Sequence, residues 1–155
     1  MKLTLKNLKV SEHLSEETVA FTATVYIDGK RAFTACNHGT GGESMLEPLK
    51  EDRGIIDRAQ TYFASLPPEP SQYGDLPMSL DFAVSLAVDE ALHLKDLKRC
   101  LKKITVKTPE GICTFKASFK PTPENLTHIA RKYPDYVILN TLSEDDALKL
   151  WKESA

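Results

Sequence analysis

The chain is short of cysteine, of tryptophan and of long apolar runs. Its 155 residues include three Cys and one Trp, and aromatic residues make up only 8%. The sparse, odd set Cys36, Cys100 and Cys113 argues against the disulfide framework of a secreted protein. It predicts three reduced and mostly buried thiols. No apolar stretch approaches the roughly 20 residues that span a bilayer. The opening residues alternate polar and apolar, unlike the continuous apolar core of a signal peptide. A cytoplasmic protein is the expectation. Charge of one sign is lacking too: 20 Lys and Arg face 22 Asp and Glu, a formal net of −2. That excludes a highly basic nucleic-acid packer and a uniformly acidic DNA mimic.

Catalytic signatures are also missing. There is no Walker A run, no GxGxxG, no HExxH and no nucleophile elbow. His13, His38, His93 and His128 are scattered, and His93 is expected on the surface of its helix. Cys36 and His38 fall short of the three or four ligands that zinc needs. They would share a strand face as a thiol pair, but Asn37 between them points the other way. No metal, no cofactor and no catalytic residue are expected, and the chain reads as a non-enzyme.

What is present is an ordinary globular composition, 41% hydrophobic and 27% charged. The length suits a single domain over residues 1–155. Leu3 and Leu5 share one parity and Leu8 and Val10 the other, which predicts a strand bulged near Asn7. Residues 18–27 alternate cleanly, with Val19, Phe21, Ala23, Val25 and Ile27 on one face. Asp28-Gly29 marks a hairpin turn. A three-residue turn is preferred, because it sets Phe33 and Ala35 opposite that face. A helix is expected after residue 44, with Pro48 in its first turn and Leu49, Ile56, Ala59, Phe63 and Leu66 along one stripe. Gly54 would break it into two pieces. The proline-rich stretch 67–77 reads as an extended connection.

Ser79 caps a long central helix whose stripe runs from Leu80 to Leu101. Thr108-Pro109-Glu110-Gly111 is a turn that brings back a strand over 112–119, with Cys113, Phe115, Ala117 and Phe119 on one face. Thr122-Pro123 opens a short helix that Pro134 ends. Tyr136–Leu139 reads as a buried strand, and Ser143-x-x-Asp146 caps a last helix carrying Leu148 and Trp151. The fold class is α+β, a mainly antiparallel sheet packed against the long central helix and shorter helices.

Two stretches are candidate contact sites. The loop Asn37, His38, Gly39, Thr40, Gly41, Gly42 and Ser44 would expose backbone N–H groups suited to phosphate or another anion, as in a nucleotide-binding or nucleotide-sequestering module. The basic stripe Lys95, Lys98, Arg99, Lys102 and Lys103 lies opposite Leu94, Leu97 and Leu101 on the long helix. Residues 93–120 hold eight Lys or Arg against two Asp or Glu, so near neutrality is a cancellation of a basic segment by an acidic remainder. Such a surface suits an acidic host protein. Nucleic acid is less favoured, because no aromatics interleave with the lysines.

Four stretches together carry a family likeness: Ala23–Ala32, the Asn37…Gly39…Gly41-Gly42 loop, Lys95–Arg99 and Ile138–Leu142. Taken in that order, they resemble a family of small uncharacterised proteins encoded by bacteriophages, prophages and other bacterial mobile elements. The resemblance implies an accessory protein that binds host machinery, including defence or regulatory complexes, inside the host bacterial cell. It implies no catalytic residues. A minor structural or assembly protein of a phage is the weaker expectation.

Overall fold

A four-stranded antiparallel sheet opens the chain, in a computed structural model that describes residues 1–154. Its strands are β1 (Leu3–Val10), β2 (Phe21–Ile27), β3 (Lys30–Asn37) and β4 (Met45–Pro48), in the order β1-β2-β3-β4. The change of parity in β1 is the expected bulge. Asn7 adopts a φ of 55°, and the pairing slips between Lys6 and Lys9. In β2, Phe21, Ala23, Val25 and Ile27 are buried while the residues between them are not.

The β2–β3 turn corrects the three-residue expectation. Ile27 pairs with Lys30 across Asp28 and Gly29, whose φ values are 53° and 80°. Positive φ at both central positions is the two-residue hairpin turn whose twist matches the strands. Such a turn alone would put Phe33 on the wrong face. A bulge restores the parity: Tyr26 pairs with Arg31 but Val25 with Phe33, leaving Ala32 as the extra residue. Phe33 and Ala35 therefore stand opposite Val25 and Ala23, as the pattern required.

Residues 45–48 are a strand and not the expected helix. Met45 pairs with Cys36 and Pro48 with Phe33. Pro48 is tolerated because it ends an edge strand, where its missing N–H costs no ladder bond. The helix α1 begins only at Ile55, after Gly54, and runs Ile55–Ala64 with Ala59 and Phe63 buried. The proline-rich stretch is more than a connection. It forms a hairpin of β5 (Glu69–Ser71) and β6 (Gly74–Leu76) with Tyr73 in its turn, 88% exposed.

The long helix α2 spans Leu80–Cys100. Ser79 Oγ accepts the Phe82 N–H at 3.0 Å, the cap read from the sequence. The contacts of the chain fall into two compact units, Met1–Asp89 and the segment from Glu90 onward, with the helix contributing to each. In the first, Leu80, Val84 and Val88 are buried.

The second unit contains β7 (Thr105–Thr108), β8 (Gly111–Thr114) and β9 (Val137–Ile138), an antiparallel sheet in the order β8-β7-β9. Helices α3 (Pro123–Lys132) and α4 (Glu144–Ser154) complete it. Thr122 Oγ1 accepts the Asn125 N–H at 3.2 Å, and Ser143 Oγ accepts the Asp146 N–H at 3.2 Å. One core cluster gathers Leu97, Leu139, Ala147 and Leu148, with Trp151 against it. Another gathers Ile104, Val106, Ile129 and Ile138. Asn140 joins the end of α2 to β7. Its Oδ1 accepts the Thr105 N–H at 2.8 Å, and its Nδ2 donates to the carbonyls of Leu101 and Lys103.

Three expectations fail here. The strand after the Pro109-Glu110 turn ends at Thr114, because residues 116–119 turn back with the Phe119 N–H on the Lys116 carbonyl. Cys113 is exposed and Cys36 and Cys100 are only half-buried, so the thiols are not the mostly buried set expected. The run 136–139 is buried only from Ile138 onward, since Val137 is 41% exposed. The class is α+β with antiparallel sheets and a 21-residue helix. No helix among the described residues is long and apolar enough to cross a membrane.

Candidate functional site

The glycine loop between β3 and β4 is held from inside. Asn37, at the end of β3, is 9% exposed. Its Oδ1 accepts the Thr18 hydroxyl at 2.7 Å and the Gly39 N–H at 2.9 Å. Its Nδ2 donates to the Gly42 carbonyl and to Ser44 Oγ, both at 3.3 Å. The Gly41 N–H reaches Thr18 Oγ1 at 3.4 Å, and the Ser44 N–H reaches Asp81 Oδ1 at 2.7 Å. The Gly39 carbonyl accepts from the N–H groups of Glu16, Glu17 and Thr18. Gly39, Gly41 and Gly42 take φ values of 84°, 93° and 83°, which supply the reversals this knot needs.

These bonds decide what the loop can do. The N–H groups of Gly39, Gly41 and Ser44 already have protein acceptors, so an anion would have to displace them. The local field also opposes an anion. The Asp81 carboxylate sits on Ser44, and a Cβ placed on Gly41 would lie 2.5 Å from Glu17 Oε2. Beside the loop lies a cleft of about 210 Å³ lined by Thr18, Phe21, Asn37, Ser85, Val88 and Asp89. That is below the roughly 300 Å³ at which small-molecule pockets begin. His38 and Thr40 project outward and are exposed. The sequence located this loop but missed Thr18 and Asp81, which lie 19 and 37 residues from their partners in it.

The basic stripe is a solvated face. Lys95, Lys98, Arg99, Lys102 and Lys103 are all exposed. Two of them make exposed ion pairs: Lys98 with Glu144 at 3.8 Å and Arg99 with Asp96 at 3.0 Å. Pairs of this kind contribute at most about 1 kcal/mol and yield readily to another anion. Among the described residues Lys95, Lys102 and Lys103 make no ion pair. Farther along the chain, Lys107 Nζ donates to Ser154 Oγ at 2.6 Å, while Lys116 and Lys120 are exposed.

No thiol or metal centre emerges. No hydrogen bond joins Cys36 to His38, and no group of three His, Cys, Asp or Glu among the described residues is placed to hold a metal. His93 is half-buried and not on the surface as expected, with its Nδ1 enclosed and unpartnered among the described residues.

Comparison with known proteins finds no matching family model, no matching curated protein and no matching solved structure. The class that the chain itself defines is a two-unit α+β protein with an exposed basic helix end.

Proposed function

We propose that this is a non-enzymatic interaction protein of a phage or other bacterial mobile element. It acts in the host cytoplasm by binding an acidic face of a host protein, and so inhibits a defence or regulatory complex. The observation that carries this reading is the cluster of five exposed cations within residues 95–103, backed by the buried Leu97. The last turns of α2 hold Lys95, Lys98 and Arg99 at helical spacing, with Lys102 and Lys103 in the turn just beyond its end, so an acidic partner loses little ordering entropy on binding. Complementary charge of this kind steers encounter and selects the partner. The glycine loop is not chosen as the contact, because the N–H groups of Gly39, Gly41 and Ser44 are engaged and the Asp81 and Glu17 carboxylates lie beside it.

The test is capture from nuclease-treated host lysate by the intact chain and by the variant K95E/K98E/R99E/K102E. A control variant, K2E/K9E/K50E/R53E, makes the same change of charge at exposed sites in the first unit. The reading predicts a protein retained by the native chain and by the control, and lost by the stripe variant. Capture that survives stripe reversal refutes the surface. Capture that disappears with nuclease refutes the partner class and assigns the stripe to nucleic acid.

A further inference from the structure

The first unit holds a second concavity, unrelated to the glycine loop. It is a pocket of about 440 Å³ between the β2–β3 turn, the segment after β4 and the start of α1. That volume is within the range of small-molecule sites. Its floor is apolar: Ile27 and Ala32 are each 6% exposed, and Leu49 and Ile55 are half-buried. Ala32 is the extra residue of the β3 bulge. Bulges re-aim side chains, and here the re-aimed residue carries only a methyl group, which leaves the space open.

The rim is charged. Arg58 and Asp52 form an ion pair, and Asp28 Oδ1 accepts the Lys2 N–H at 2.7 Å. Lys30 and Arg31 are exposed and make no ion pair among the described residues. Three cationic side chains and three carboxylates line the pocket, counting Glu51, with Met1 also in its lining. The balance disfavours a phosphate dianion and suits a singly charged head. The floor demands an apolar body, and a guanidinium offers a carboxylate two parallel donors.

We infer that this pocket binds an amphipathic organic monocarboxylate, its aliphatic body on Ile27, Ala32, Leu49 and Ile55 and its head on Arg31 and Lys30. The site is independent of the basic stripe and of the function proposed for it.

The experiment is a backbone amide NMR titration of the full chain with octanoate, with acetate and 1-octanol as parallel arms. Octanoate should give saturable shifts confined to residues 27–32 and 49–58. Acetate should give none, and octanol should bind at least tenfold more weakly. The exposed pair K30E/R31E should weaken octanoate at least tenfold, and Ala32→Ile, which fills the floor, should do the same. Absence of saturable shifts overturns the site. Octanol binding as tightly as octanoate, or K30E/R31E binding octanoate unchanged, overturns the carboxylate head. Should the Ala32 variant misfold, the exposed pair still decides.

Discussion

The Thr18 hydroxyl donates to Asn37 Oδ1 at 2.7 Å, and the same threonine oxygen accepts the Gly41 N–H at 3.4 Å. The segment before β2 is thereby tied to the loop after β3 through one buried amide. The Nδ2 of that amide donates to the Gly42 carbonyl and to Ser44 Oγ. Removing it strands several polar groups at once. Asn37→Ala should lower unfolding free energy by about 1–3 kcal/mol, the cost of leaving buried donors and acceptors unmet. Urea denaturation should show a lower midpoint at unchanged slope.

Two glycines of the same loop should respond unequally to alanine. Both have positive φ, 84° at Gly39 and 83° at Gly42. A Cβ on Gly39 would overlap the Leu14 carbonyl oxygen and come within 2.9 Å of Ala20 Cβ, whereas one on Gly42 meets nothing within 4 Å. Gly42→Ala should therefore show only the backbone cost of about 1 kcal/mol. Gly39→Ala should exceed it clearly, because the Leu14 backbone has to move. Thermal unfolding of the two variants side by side measures the difference, and equal melting points would contradict the close approach.

Asp52 should titrate below the ordinary aspartate value. The hydrogen bond from the Arg58 guanidinium is the largest influence, and it holds the carboxyl below the ordinary aspartate value of 3.8. Burial opposes the shift, while the Arg58 charge and the Gly54 N–H reinforce it. A depressed pKa in the folded state means that the pair's contribution is present above the ordinary value. It is lost as pH falls through the lowered one. Carboxyl carbon NMR should find the Asp52 midpoint below the ordinary aspartate value, and Arg58→Gln should move it back up.

Much of the helical architecture was legible because α2, α3 and α4 announce their own starts, whereas α1, behind Gly54 with no side-chain cap, does not. Ser79, Thr122 and Ser143 each accept the expected amide, and the stripes behind them are those that pack. Strands β1 and β2 were legible by alternation, down to the bulge at Asn7. The β2–β3 turn was misread by one residue, yet Phe33 still faced Val25, because a bulge returned the parity that a tighter turn had removed. Strand β4 was not legible. Pro48 at a helix start and Pro48 at the end of an edge strand look alike until β3 offers a partner.

For the sites, proximity in sequence was the limit. The glycine loop was visible as a cluster, but its character comes from Thr18 and Asp81, which only the fold brings to it. Lys95, Lys98 and Arg99 were visible because helical spacing sets them on one exposed side of α2, whereas Lys102 and Lys103 lie in the turn beyond its end at Cys100. The pocket beneath the β2–β3 turn left no local signal, since Ile27, Ala32, Leu49 and Ile55 read as ordinary apolar residues.

The measurement that bears most directly on the central claim is the affinity of the captured host protein, purified, for three forms of the chain at two ionic strengths. The account predicts that K95E/K98E/R99E/K102E binds at least tenfold more weakly than the native chain. K2E/K9E/K50E/R53E should bind like the native chain, and native binding should weaken as salt rises. Equal affinity for the native chain and the stripe variant would contradict it.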